Sequence, residues 1–106
     1  MIIGEVRPLP NAKHDKGQVL KIIEESAEVF SAWEKWMNND FGTLDRSYDA
    51  NPCYRHMIDE CADVITATCN FLASFGIQDL RGIMANYEQR NMDRGRYEIQ
   101  EQPWNR

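Results

Sequence analysis

The sequence predicts an all-α protein: an antiparallel helical-bundle subunit of about three to four helices, with a core completed by oligomerisation. Three observations carry this expectation. Apolar residues recur at three- and four-residue spacing over two long stretches, Gln18 to Asn38 and Asn51 to Phe75. Neither stretch is interrupted by glycine, and the one proline, Pro52, stands at the start of the second. That second stretch is apolar around most of its circumference, while 106 residues with 42% hydrophobic content build one modest core.

Residues 1–16 carry two prolines, a glycine and mixed charge, which reads as an irregular arm with His14 and Lys16 as solvated loop residues. The first helix is expected from Gln18 to about Asn38, with Val19, Ile22, Ser26, Val29, Trp33 and Trp36 on the 3-and-4 spacing. Beside that arc, Glu25 and Glu28 lie about 60° apart, on one line with Lys21 and the small Ala32. Residues 39–52 form a polar, turn-rich connection, longer than the ~2 to 8 residues usual between helices, and a candidate cover for a site.

Asn51 as cap and Pro52 in the first turn open the second helix, and Gly76 closes it after Phe75. Its exceptions to apolarity form one stripe: His56, Glu60, Asp63, Ala67, Asn70 and Ser74. The third helix is expected from Gln78 or Asp79 to Asp93, with Asp79 as cap, an apolar side at Leu80, Ile83, Met84 and Tyr87, and a cationic end at Arg90, Arg94 and Arg96. The tail, 98–106, has no period and awaits docking of Trp104. No repeat or linker divides the chain, so 1–106 reads as one domain.

A net charge of -5 argues against a partner that is a nucleic-acid polymer, but admits a nucleotide whose charge a metal bridges. No stretch approaches the ~20 apolar residues of a membrane span, and the N-terminus lacks a signal-peptide pattern, so a cytoplasmic protein without a membrane partner is expected. Cys53, Cys61 and Cys69 form no C-x-x-C pair and read as small reduced core residues.

The chemistry is concentrated in two acidic clusters, Glu24-Glu25-x-x-Glu28 and Asp59-Glu60-x-x-Asp63, each set in an apolar helix. Carboxylates on a buried stripe are costly unless paired, protonated or bound to metal, and facing acids repel one another. A divalent cation resolves the conflict. Oxygen-only donors at regular spacing suit Mg²⁺, with Mn²⁺ as the close substitute, and neither His14 nor His56 completes the E-x-x-H pattern of a di-iron bundle.

These motifs, followed by Asn91-x-x-Arg94-Gly95, resemble those of the MazG-like all-α nucleoside triphosphate pyrophosphohydrolases over roughly Lys21 to Tyr97. The resemblance implies a homodimer or homotetramer that cleaves an NTP or dNTP between its α and β phosphates, giving a monophosphate and pyrophosphate. By this resemblance Glu25, Glu28, Glu60 and Asp63 match the metal ligands, and Asn91 and Arg94 the phosphate-holding positions. Glu24 matches a preceding acid that supports the metal or orients the attacking water, so Glu24 and Glu25 are the catalytic expectation. Where that family often carries a basic residue, four positions before the asparagine, this chain has Tyr87, which leaves the part to Arg90 or Arg96. Phe30, Trp33 and Trp36 read first as core or interface aromatics, with Trp33 a candidate for stacking on a base. Two other readings stay open: a non-catalytic helical adaptor or regulator, and a related hydrolase acting on phosphoribosyl-ATP.

Overall fold

The computed structural model describes residues 1–39 and 45–98, and the order of elements is α1 (Lys16–Met37), α2 (Pro52–Ser74) and α3 (Arg81–Asp93). Among the described residues there is no strand, and no helix is long and apolar enough to cross a membrane. The expectations for the tip of the α1–α2 connection and for Trp104 fall on residues 40–44 and 99–106, outside that range.

α1 begins two residues before the expected Gln18, because Asp15 rather than a later residue caps it. Its Oδ1 accepts from the Gln18 amide at 3.1 Å, satisfying one of the amides that the first turn leaves free. Lys16 is therefore helical, not a loop residue. His14 is an exposed loop residue as expected, and its ring lies 4.9 Å from that of Phe75. A second tie holds the arm, since the Leu9 amide donates to Asn70 Oδ1 at 2.9 Å.

α2 has the expected ends. Asn51 Oδ1 accepts from the amides of Cys53 and Tyr54 at 3.0 and 3.1 Å, and Pro52 fills a position that needs no donor. At the other end Gly76, at φ 80°, lets its own amide reach Ala73 O while Ile77 N reaches Leu72 O, a Schellman closure. α3 starts at Arg81 instead of Gln78 or Asp79, and Leu80 occupies its cap without a side-chain bond. Asp79 instead accepts from the Arg81 amide at 2.9 Å and pairs with the Arg81 guanidinium at 2.7 Å.

α1 and α2 pack on each other in antiparallel fashion: Trp36 meets Tyr54 edge-on at one end, and Glu25 stands with Glu60 and Asp63 farther along. The surfaces they bring together combine part of the apolar arc with the polar lines: Ile22 and Val29 are half-buried and Trp36 is buried beside Glu25 and Ala32. On α1 the buried residues are Glu25, Ala32 and Trp36, and on α2 they are Ala67 and Asn70. Phe30 and Trp33 of the apolar arc remain 60% and 43% exposed, and Ile23 and Met37 are exposed too. Cys61, expected in a core, is also exposed, because it sits away from the α1-facing stripe.

Among the described residues α3 packs against neither α1 nor α2, and none of its residues is buried. The radius of gyration is 17.1 Å. A compact chain of this length would have about 13 Å. Among the described residues no large side chain is fully buried.

Candidate metal centre

The α1–α2 seam carries Glu25 and Ala32 from α1 and Glu60 and Ala67 from α2, with Glu28 and Asp63 exposed at its edge. One oxygen from each of Glu25, Glu60 and Asp63 lies within 4.8 Å of the other two. Asp63 is exposed at the rim, Glu60 is half-buried, and Glu25 is only 7% exposed.

Each inner carboxylate is held by one oxygen from its own helix. Lys21 Nζ stands 2.9 Å from Glu25 Oε1, and His56 Nε2 stands 3.7 Å from Glu60 Oε1, both four residues earlier in sequence. The other oxygens, Glu25 Oε2 and Glu60 Oε2, are buried and have no hydrogen-bond partner. A buried acceptor left unpaired costs free energy, which a ligand supplying positive charge or a proton would relieve.

Glu28 completes the group electrostatically. Its carboxyl is pushed up to about 6, first by donating a hydrogen bond to Glu60, then by the bond and charge it shares with Glu25. Glu25 moves the other way: the Lys21 ammonium donates to it and holds it below its ordinary value, against the opposing effect of burial. Lys21 is raised in return, chiefly by its bond to Glu25. The donors are all carboxylate oxygens, a set that fits a hard divalent ion and offers nothing to a soft one.

Of the expected site residues, the structure brings together Glu25, Glu28, Glu60 and Asp63. Glu24 is exposed, about 100° around α1 from Glu25 and outside the cluster. Trp33 is half exposed and lies 6.0 Å from the Phe30 ring on the outward arc. Arg90, Asn91 and Arg94 lie at the end of α3 and are not gathered with the acids in this chain. There Arg90 stacks over Tyr87 at 4.9 Å, Asn91 Oδ1 accepts from Arg96 at 3.2 Å, and Arg94 is the C-cap ahead of Gly95.

Two further residues belong to the site's support. His56, a member of the polar stripe, positions Glu60, and its i,i+4 spacing is the signal for it. Tyr48 donates to Asp59 at 2.6 Å and so ties the connection beside Glu60, a contact between loop and helix with no periodic signal. No family model, curated protein or solved structure matches the chain.

Proposed function

We propose that the chain is a divalent-metal-dependent nucleotide pyrophosphohydrolase of the cytoplasm. In this reading it acts as a homodimer or homotetramer on an NTP or dNTP and gives a nucleoside monophosphate and pyrophosphate. The observation that supports it most is the pair of buried, partnerless carboxylate oxygens, Glu25 Oε2 and Glu60 Oε2, facing one seam with Asp63. Glu25, Glu28, Glu60 and Asp63 would hold Mg²⁺ or Mn²⁺. Such an ion, when bound, neutralises phosphate charge and lowers the pKa of a coordinated water.

The chain's own groups do the positioning. Lys21 keeps Glu25 ionised and fixes one of its oxygens, leaving the other free for the seam. His56 does the same for Glu60 by orientation. Glu24, which lies outside the cluster, would act only on an incoming water at the solvent side. Arg90, Asn91 and Arg94 supply donors for phosphate oxygens, and guanidinium groups suit that task because they bond in pairs. Trp33, with Phe30 beside it, offers an exposed aromatic face for a base.

The separation of α3 from the acids favours one other reading, a non-catalytic helical oligomer that uses the cluster to bind a cation. The deciding experiment measures pyrophosphate release from the common NTPs and dNTPs and from phosphoribosyl-ATP, with Mg²⁺ or Mn²⁺, for the wild type and Asp63→Ala. Activity abolished by the substitution is the expected result. Equal activity in both proteins removes the assigned site. A folded wild type that binds the ion but turns over no nucleotide establishes the binding reading.

A further inference from the structure

We propose that Lys21 is a phosphate-binding residue: its ammonium, set against the carboxylate cluster by Glu25, receives a phosphate group of the nucleotide. The proposal rests on the preceding reading for the nucleotide and adds the side chain of this chain that takes its phosphate.

Glu25 is what distinguishes this cluster from a patch of surface acids. It is only 7% exposed, and its Oε2 is buried without a hydrogen-bond partner. Its other oxygen, Oε1, holds Lys21 Nζ at 2.9 Å. The ammonium therefore stands one carboxylate's width from the partnerless oxygen. Among the described residues no other lysine or arginine pairs with any of the four acids, and Arg81 pairs with Asp79 instead. The guanidinium groups of α3 are not gathered there.

Helix stabilisation alone does not account for the pair. Lysine four residues before glutamate is the weaker of the two orders for an i,i+4 contact. The partners also differ in environment, since Glu25 is buried and the Lys21 side chain is half-exposed. An ammonium carries three donors and the contact with Glu25 uses one, which leaves donors at the open side. Its bond to Glu25 holds the Lys21 amine above its ordinary value, so the charge is secure.

Electrostatics calls for a cation at this place. Glu25, Glu28, Glu60 and Asp63 together outweigh the charge of one divalent ion, so an incoming phosphate meets repulsion unless a fixed positive charge stands beside the acids. Lys21 supplies it from the same line of α1 that carries Glu25 and Glu28. As a compact charge on a flexible stem, the ammonium reaches from Oε1 to a phosphate oxygen without backbone movement.

The test compares the full-length wild type with Lys21→Met and Lys21→Arg, each first checked for an unchanged helical circular dichroism signal. Mn²⁺ affinity is read by electron paramagnetic resonance of the free ion. Affinity for inorganic pyrophosphate is read by isothermal titration calorimetry in excess Mg²⁺. Lys21→Met should weaken pyrophosphate binding about 10- to 100-fold, the loss of one hydrogen bond between charged groups. Its Mn²⁺ affinity should be equal or higher, because a positive neighbour is gone. Lys21→Arg should restore pyrophosphate binding to within about threefold, since it keeps the charge. Pyrophosphate affinity of Lys21→Met within about twofold of the wild type overturns the proposal. So does a fall in Mn²⁺ affinity as large as the fall for pyrophosphate, which assigns the whole effect to the holding of Glu25. Both of those results leave the pyrophosphohydrolase reading standing. A wild type that binds the ion but no pyrophosphate overturns that reading, and this proposal with it.

Discussion

Ala32→Leu tests whether the closeness of α1 and α2 is what makes the metal centre. Ala32 is wholly buried on the line that carries Glu25 and Glu28, about 10 Å and 6 Å along the helix from them. Leucine adds three carbons where no space is left. Overpacking of this kind costs about 1–3 kcal/mol, or the helices part toward the wider end of the ~8–10 Å range of helix separations. A parting of about 1 Å at Ala32 is felt at the cluster two turns away, where the oxygens lie within 4.8 Å of one another. Two ligands of one Mg²⁺ lie at most about 4.2 Å apart, so added distance is taken directly from coordination. At roughly 4 °C per kcal/mol for a domain of this size, the melting temperature should fall by about 4–12 °C. Mn²⁺ affinity, read by electron paramagnetic resonance of the free ion, should fall at least tenfold. Ala32→Gly separates the two effects: it costs about 1 kcal/mol of helix propensity yet leaves the seam narrow, so Mn²⁺ affinity should change by less than about twofold. Equal affinity in all three proteins would refute the argument from helix spacing.

Three other outcomes follow from named contacts. In metal-free protein the Glu28 carboxyl should titrate at about 6 by carbon NMR, raised from 4.5 by its bond to Glu60. A carboxyl raised on folding stabilises fully below its unfolded value and loses that contribution as pH rises through about 6, so metal-free stability should decline over that window; a midpoint near 4.5 contradicts the proton-sharing geometry. Asp79 behaves oppositely: its bond with Arg81 lowers it to about 2, so its contribution is present above the ordinary 3.8 and lost as pH falls through about 2, measurable in the Asp79 side-chain shift. Asn70→Ala should release the Leu9 amide and raise its hydrogen-exchange rate about fivefold, matching the ~1 kcal/mol of one net hydrogen bond, with α1 and α2 unchanged.

What was legible in the sequence was whatever a local rule controls. Asn51, Pro52 and Gly76 set the ends of α2 because capping depends on the residue at one position and its neighbours. The i,i+3 spacing of Glu25 with Glu28 and of Glu60 with Asp63 placed each pair on one face before any contact between helices was known. The start of α1 was also local, since Asp15 stands three residues before Gln18 as a cap should, but Gly17 in the first turn obscures it. Position in space was not legible. Periodicity finds an apolar face without saying whether its partner lies in the same chain, so the burial of Glu25 ahead of Phe30, and the exposure of Cys61, required the packing itself.

The sharing of the inner seam by Glu25 and Glu60 with Trp36 carries the functional argument. A two-helix unit with only its own stability to serve would join its apolar arcs and leave Glu25 and Glu60 in water, since burying charge opposes folding and burying Phe30 or Ile23 favours it. Here the carboxylates hold the inner seam, backed by Lys21 and His56 and narrowed by Ala32 and Ala67. On the proposed reading, assembly would contribute the core that the single chain lacks and the seam would open through Asp63 to an ion. If the seam were only a structural accident, replacing Glu25 and Glu60 together by glutamine would raise metal-free stability and leave every ligand response intact. The arrangement instead requires that the same change raise stability and abolish the rise in melting temperature produced by Mn²⁺, a separation of effects that differential scanning calorimetry with and without the ion measures directly.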